Sequence, residues 1–164
     1  MAGETEQIWR GEVSATAEGC SPDQVWPLFQ DYFNLHEYHP FLDTCYGMEG
    51  VSGQPGCVRY CASSHVSNRE GVLLWSHEKL LAIDPEAKRL TYEITKSNAG
   101  FDSLCATVKL TPVTDRRERG ACGLACSFVT KPVPGWTLEE LVRVYQGVIE
   151  SLAEKVASRF RTTG

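Results

Sequence analysis

The order of periodicities along this chain predicts an α+β fold: a curved, seven-stranded antiparallel sheet around one long C-terminal helix, with two short helices after the first strand. Three observations carry that expectation. Alternating apolar and polar segments follow one another through the middle of the chain, separated by short turn sequences. One apolar stripe of helical spacing closes the sequence. Between the first alternating segment and the rest lie two brief stretches with helix-start and helix-stop chemistry.

Taken in order, Trp9, Gly11, Val13, Ala15 and Ala17 alternate with Arg10, Glu12, Ser14 and Thr16, the pattern of a half-buried strand. At Ser21-Pro22-Asp23-Gln24 a helix begins: Ser21 caps, Pro22 suits the first helical position and Gln24 completes a capping box. Pro27 keeps that helix short or kinked. Tyr32 to His39 reads as a second short helix, stopped by Pro40. Strands are then expected at Asp43 to Met48, Cys57 to Ser63, Val72 to Ile83, Arg89 to Lys96, Leu104 to Val113 and Ala121 to Thr130. The turn sequences between them, such as Ser52-Gly53-Gln54-Pro55-Gly56, Asp84-Pro85 and Ser97-Asn98-Ala99-Gly100, are short enough for an antiparallel meander. Thr137 and Glu140 form a second capping box. Leu138, Leu141, Val142, Tyr145, Val148, Ile149, Leu152, Val156 and Phe160 then trace a helix of roughly 24 residues, about 36 Å long. A sheet curved around such a helix leaves a void at its concave face, a natural ligand site unless side chains fill it.

Length and composition set the outer bounds. The 164 residues fit one domain, residues 1–164 with an ordered core of about 7–161, and 42% hydrophobic with 23% charged residues is ordinary for a globular chain. A formal net charge of −5 argues against a nucleic-acid surface, and Arg116, Arg117 and Arg119 read as a solvated hairpin tip. Seven cysteines without a CxxC, behind an N-terminus lacking an apolar signal core, point to free thiols in a reducing, cytoplasmic setting. No apolar run is long enough to span a bilayer, so membrane insertion is not expected. Cys57, Cys61 and His65 share a strand face, yet residues four apart on a strand sit roughly 13 Å apart, so no metal is expected. No G-x-S-x-G, GxGxxG or P-loop occurs, which removes hydrolase and nucleotide readings. Oligomeric state is left open.

The residues that stand out are Arg59 and Glu78, each a charge set in the middle of an otherwise apolar strand, where it is costly unless paired or met by a ligand. Closing a hairpin through Ser64–Gly71 puts Arg59 nearly opposite His77 or Glu78. Glu78 shares its face with Val72, Leu74, Ser76, Leu80 and Ala82. The other face carries Leu73, Trp75, His77, Lys79 and Leu81, so periodicity alone does not settle which is inside. Two readings stay open. One is a plain cross-strand ion pair, worth under about 1 kcal/mol if exposed. The other is an arginine that holds a ligand oxygen beside a carboxylate that moves a proton. His36 and His39, in an aromatic segment, are expected to pack or cap, and the cysteines to be inert and buried.

The run Gln24-Val25-Trp26, Asn34-Leu35-His36 and Pro40, then Gly56-Cys57-Val58-Arg59-Tyr60, then Trp75-Ser76-His77-Glu78-Lys79-Leu80-Leu81-Ala82-Ile83-Asp84 resembles plant lachrymatory-factor synthases. Their wider group is the Bet v 1/START-like helix-grip superfamily (SRPBCC), also labelled polyketide cyclase/dehydrase and lipid transport. The resemblance runs from about Trp9 to Phe160. It implies an internal cavity with its mouth near Ser64–Gly71 and Ser97–Phe101, and it makes Arg59 and Glu78 the catalytic pair. The implied reaction is isomerisation of a small unsaturated sulfenic acid by proton relay, without a cofactor. In such a cavity Leu74, Tyr92, Leu104, Phe128 and Tyr145 are the expected ligand contacts, and the expected partner is a small hydrophobic metabolite. A tyrosine of the family's cavity is replaced by Leu104, and a tryptophan by Cys126, which bears on the substrate more than on the pocket. Abscisic-acid receptors, another branch, carry a Ser-Gly-Leu-Pro gate where this chain has Ser64-His65-Val66-Ser67, and a ligand-binding lysine where it has Asp43. The alternative to an enzyme is a non-catalytic carrier of a small hydrophobic metabolite or lipid.

Overall fold

The computed structural model of the chain describes residues 7–67, 73–101, 103–114 and 120–161. The elements run β1 (Trp9–Glu18), α1 (Pro22–Gln30), a 3-10 helix (Tyr32–Glu37), β2 (Thr44–Glu49), β3 (Val58–Ser67), β4 (Leu73–Asp84), β5 (Arg89–Ser97), β6 (Leu104–Thr114), β7 (Gly120–Thr130) and α2 (Leu138–Arg161). All seven strands form one antiparallel sheet in the order β1-β7-β6-β5-β4-β3-β2. Strands β2 to β7 are a meander, and β1 is added at its far edge against β7. The short helices follow β1 in the chain and pack on the sheet, α1 against β6 and β7 and the 3-10 segment against β2 and β3. This is the helix-grip arrangement, with α2 lying along the concave side.

Local chemistry accounts for the helices. Ser21 Oγ accepts from the Gln24 N–H at 3.2 Å while Gln24 Oε1 accepts from the Ser21 N–H at 2.9 Å, so α1 starts on a closed capping box. With Pro27 inside it, α1 runs only nine residues. The segment after it is a 3-10 rather than an α-helix and stops at Glu37, with the Tyr38 N–H reaching Leu35 O at 3.0 Å. At the head of α2, Thr137 Oγ1 accepts from the Glu140 N–H at 3.1 Å. Its stripe buries Leu141, Ile149, Leu152, Ala153, Val156 and Ala157. The helix rests mainly on β1 and β7, and Gln146 Nε2 donates to Ser14 O at 3.0 Å.

Strand β4 departs from simple alternation. The register shifts between Leu80 and Ala82, so Leu80 pairs with Tyr92 but Ala82 pairs with Thr91. The extra residue turns the inward set by one position. Leu80 is fully buried, Leu81 and Ala82 are exposed, and Ile83 packs against the core. Ala82 therefore does not share the face of Glu78, as alternation had placed it. The hairpin tip bearing Arg116, Arg117 and Arg119 lies outside the described residues, as does most of the β3–β4 turn.

Gly11 shows how tightly the sheet is closed on the helix. It pairs with Phe128, and a Cβ at Gly11 would run into the Phe128 ring. That ring is in turn stacked on Tyr145 of α2, with centroids 4.8 Å apart. Gly11→Ala is accordingly expected to cost about 1–3 kcal/mol through overpacking. A urea midpoint equal to that of the wild type would contradict this packing.

Candidate functional site

Arg59 and Glu78 are paired residues of β3 and β4, so their side chains leave the sheet on the same face. Both are buried, 4% and 9% exposed. Arg59 Nε and Nη2 donate to Glu78 Oε1 at 3.0 and 2.7 Å, and Nη1 donates to Tyr32 O at 2.9 Å. The second carboxylate oxygen, Glu78 Oε2, accepts from the Ser76 hydroxyl at 3.1 Å. Such burial removes the exposed ion-pair reading.

Tyr32 clamps this pair. Its ring lies 3.7 Å from the Arg59 guanidinium carbon and its hydroxyl donates to the backbone oxygen of Glu78 at 3.2 Å. Tyr92 covers the guanidinium at 5.3 Å. Gly47, the β2 partner of Arg59, makes room for the clamp: a Cβ there would strike the ring of Phe33, the neighbour of Tyr32. Burial opposes the charge on Arg59, but Tyr32 and the Glu78 carboxylate outweigh it and hold the guanidinium protonated above its ordinary range.

The pair forms part of the wall of a cavity of about 240 Å³ between the concave face of the sheet, α1, the 3-10 segment and α2. Its lining is largely apolar, including Leu28, Leu35, Leu74, Ile94, Phe101, Trp136, Val148 and Ile149. Of the contacts expected from sequence, Leu74, Tyr92 and Tyr145 line this space. Leu104 and Phe128 lie in the packed core instead, 0% and 1% exposed, with Phe128 backing the Tyr145 ring. Leu104 sits opposite Ile94. Ala99 and Phe101 of the expected mouth do line the cavity, whereas residues 68–72 of the other loop lie outside the described residues.

Burial also sets the state of the remaining polar lining. It raises Tyr92 and Tyr145, which share a hydrogen bond, so both stay hydroxyl donors. It pushes the Cys126 thiol up to about 12. His39 is lowered to about 4 by burial, helped by Arg59 and Lys155, while its Nδ1 accepts from the Phe41 N–H at 3.2 Å. His39 is thus both a cap and a neutral part of the cavity wall. From the wall, Cys61 Sγ donates to Cys45 Sγ at 3.8 Å, a bond that lowers Cys45 to about 6 despite burial. Tyr32, Ser76 and His39 had no separate sequence signal as site residues. The tyrosine could have been found from Arg59 alone, since a buried guanidinium needs a partner for each face and each nitrogen.

A curved sheet gripping a helix over a walled cavity defines a helix-grip protein with an internal ligand site. Over residues 9–161 the chain matches the family described as polyketide cyclase / dehydrase and lipid transport, and it belongs to that family. Among solved structures it is similar to the protein XoxI from Bacillus cereus, with a TM-score of 0.70 over 94% of this chain and 96% of that one. At 19% identity that likeness speaks for the fold alone. Among the described residues no helix is long and apolar enough to cross a membrane.

Two expectations follow from this geometry. Arg59→Leu strands a buried carboxylate and should cost about 3–5 kcal/mol, whereas Arg59→Leu combined with Glu78→Leu should recover most of the loss. Equal denaturation midpoints for the single and double variants would refute the pairing energetics. His39 takes up a proton near 6.5 in the unfolded chain but only near 4 in the folded one. Between those values the unfolded state binds the extra proton, so stability falls as pH drops from 6.5 toward 4. Thermal melts across that window should flatten in His39→Gln; parallel slopes would show that His39 is not involved.

Proposed function

We propose that this protein is a cofactor-free isomerase or cyclase of the lachrymatory-factor synthase kind, acting on a small unsaturated metabolite inside the cavity. The observation that carries the reading is the buried Arg59–Glu78 pair exposed to an apolar ligand space. A buried pair is often no more stabilising than hydrophobic residues of similar volume, so stability alone is a weak reason for it. As the working carboxylate, Glu78 is well arranged. Oε1 is anchored by two guanidinium hydrogen bonds, which leaves Oε2, beside the Ser76 hydroxyl, as the oxygen that takes and returns a proton. Arg59 fixes that carboxylate and stabilises negative charge developing on the substrate's oxygen end. The Tyr92 and Tyr145 hydroxyls supply further donors within the same wall. A volume of about 240 Å³ lies just under the ~300–1,000 Å³ usual for small-molecule sites, which suits a compact substrate. A sulfenic acid of the kind the resemblance implies is within that class.

A second reading is favoured by a specific observation. Each nitrogen of Arg59 already donates to a protein oxygen and most of the lining is apolar, which is all that a non-catalytic carrier needs. Native mass spectrometry of protein purified from its own source would identify the resident molecule. With that molecule or its precursor as substrate, Glu78→Gln should lower turnover by about 10²–10⁴-fold while leaving binding nearly unchanged. Should Glu78→Gln and Arg59→Leu lower only the melting temperature, the pair is structural and the carrier reading stands.

A further inference from the structure

We infer that the cavity selects uncharged ligands bearing a hydroxyl or enol at one end, because Glu78 already occupies the place where a ligand carboxylate would pair with Arg59. This deepens the reading of the cavity as the ligand site and rests on it. The guanidinium is the one cation lining the cavity among the described residues, and its charge is already met by the Glu78 carboxylate, with three of its five N–H donors committed inside the protein. Nε and Nη2 point at Glu78 Oε1, Nη1 points at Tyr32 O, and the Tyr32 and Tyr92 rings cover the guanidinium. A carboxylate brought to the guanidinium is placed beside Glu78 as well, since both groups line the cavity as a bonded pair.

No other lining group supplies the missing positive charge. His39 faces the same space but keeps its Nδ1 lone pair on the Phe41 N–H. Cys61, Cys126, Tyr92 and Tyr145, further titratable groups of the wall, are neutral when protonated and anionic otherwise. A like charge brought beside Glu78 in a low-dielectric wall is repelled far more strongly than in water. A ligand hydroxyl or enol fits the same place well. It donates to Glu78 Oε2 and accepts from the Tyr92–Tyr145 hydroxyl pair, leaving its apolar body against the leucine and valine lining. Glu78 thereby acts as an internal counter-anion that sets ligand charge as well as a proton carrier.

Isothermal titration of the full-length chain at neutral pH with cinnamyl alcohol and cinnamate, two probes of nearly equal shape, tests this. The alcohol should bind at least about tenfold more tightly than the carboxylate. Glu78→Gln frees Arg59 from its counter-anion, so cinnamate should gain about tenfold or more while the alcohol changes little. Cinnamate binding the wild type as tightly as the alcohol overturns the inference but leaves the ligand site intact. Failure of both probes, and of a wider set of small apolar alcohols, overturns the inference and the ligand-site reading together. An unchanged order of preference in folded Glu78→Gln also overturns it, since the discrimination then comes from elsewhere. Where that variant does not fold, Glu78→Asp keeps the charge and should keep the preference for the alcohol; losing it would count against the inference.

Discussion

One buried ion pair organises the interior of this protein. Desolvating Arg59 and Glu78 is unfavourable, and the surrounding structure offsets the cost at every nitrogen and at both carboxylate oxygens. That compensation reaches beyond β3 and β4. It requires the 3-10 segment to deliver Tyr32 as acceptor, ring and hydroxyl donor at once, and it requires Gly47 so that Phe33 can settle against β2. The two short helices are therefore part of the site and not merely a crossover between the sheet edges. A change in their position would be felt first at the guanidinium.

The apolar remainder of the wall has a different physical role. Around a neutralised pair, low polarity strengthens each hydrogen bond and keeps Tyr92 and Tyr145 protonated. A small, largely apolar space with one anchored carboxylate is suited to moving a proton within a conjugated molecule, and equally to holding such a molecule without change. The distinction lies in whether Glu78 Oε2 takes a proton from the ligand and returns it, which is a kinetic property. Membership of the polyketide cyclase / dehydrase and lipid transport family is compatible with both outcomes.

Much of the fold was legible because its signals are local. The capping residues Ser21, Gln24 and Thr137, the alternation of β1 and the stripe of α2 each depend on near neighbours only. The opposition of Arg59 and Glu78 was legible too, since hairpin pairing follows from loop position. What escaped was set by longer-range geometry. The register shift after Leu80 has no turn residue or glycine to mark it, so Ala82 was assigned to the wrong face. Leu104 and Phe128 have the composition of cavity residues, but Leu104 is fully buried opposite Ile94 and Phe128 is packed beneath the Tyr145 ring of α2. Tyr32 lies far from Arg59 in sequence, and only the fold brings them together.

The placement of α2 has a consequence for how such a protein diversifies. Residues that fasten the helix in the core, such as Ala153, Val156 and Gln146, are separate from Val144 and Val148, which border the cavity without lying in the closed core. Substitution at the second set can reshape the hollow while the fastening remains intact. Ligand preference and structural integrity are thereby assigned to different steps of one helix, so lineages built on this scaffold can drift in specificity without first losing their shape.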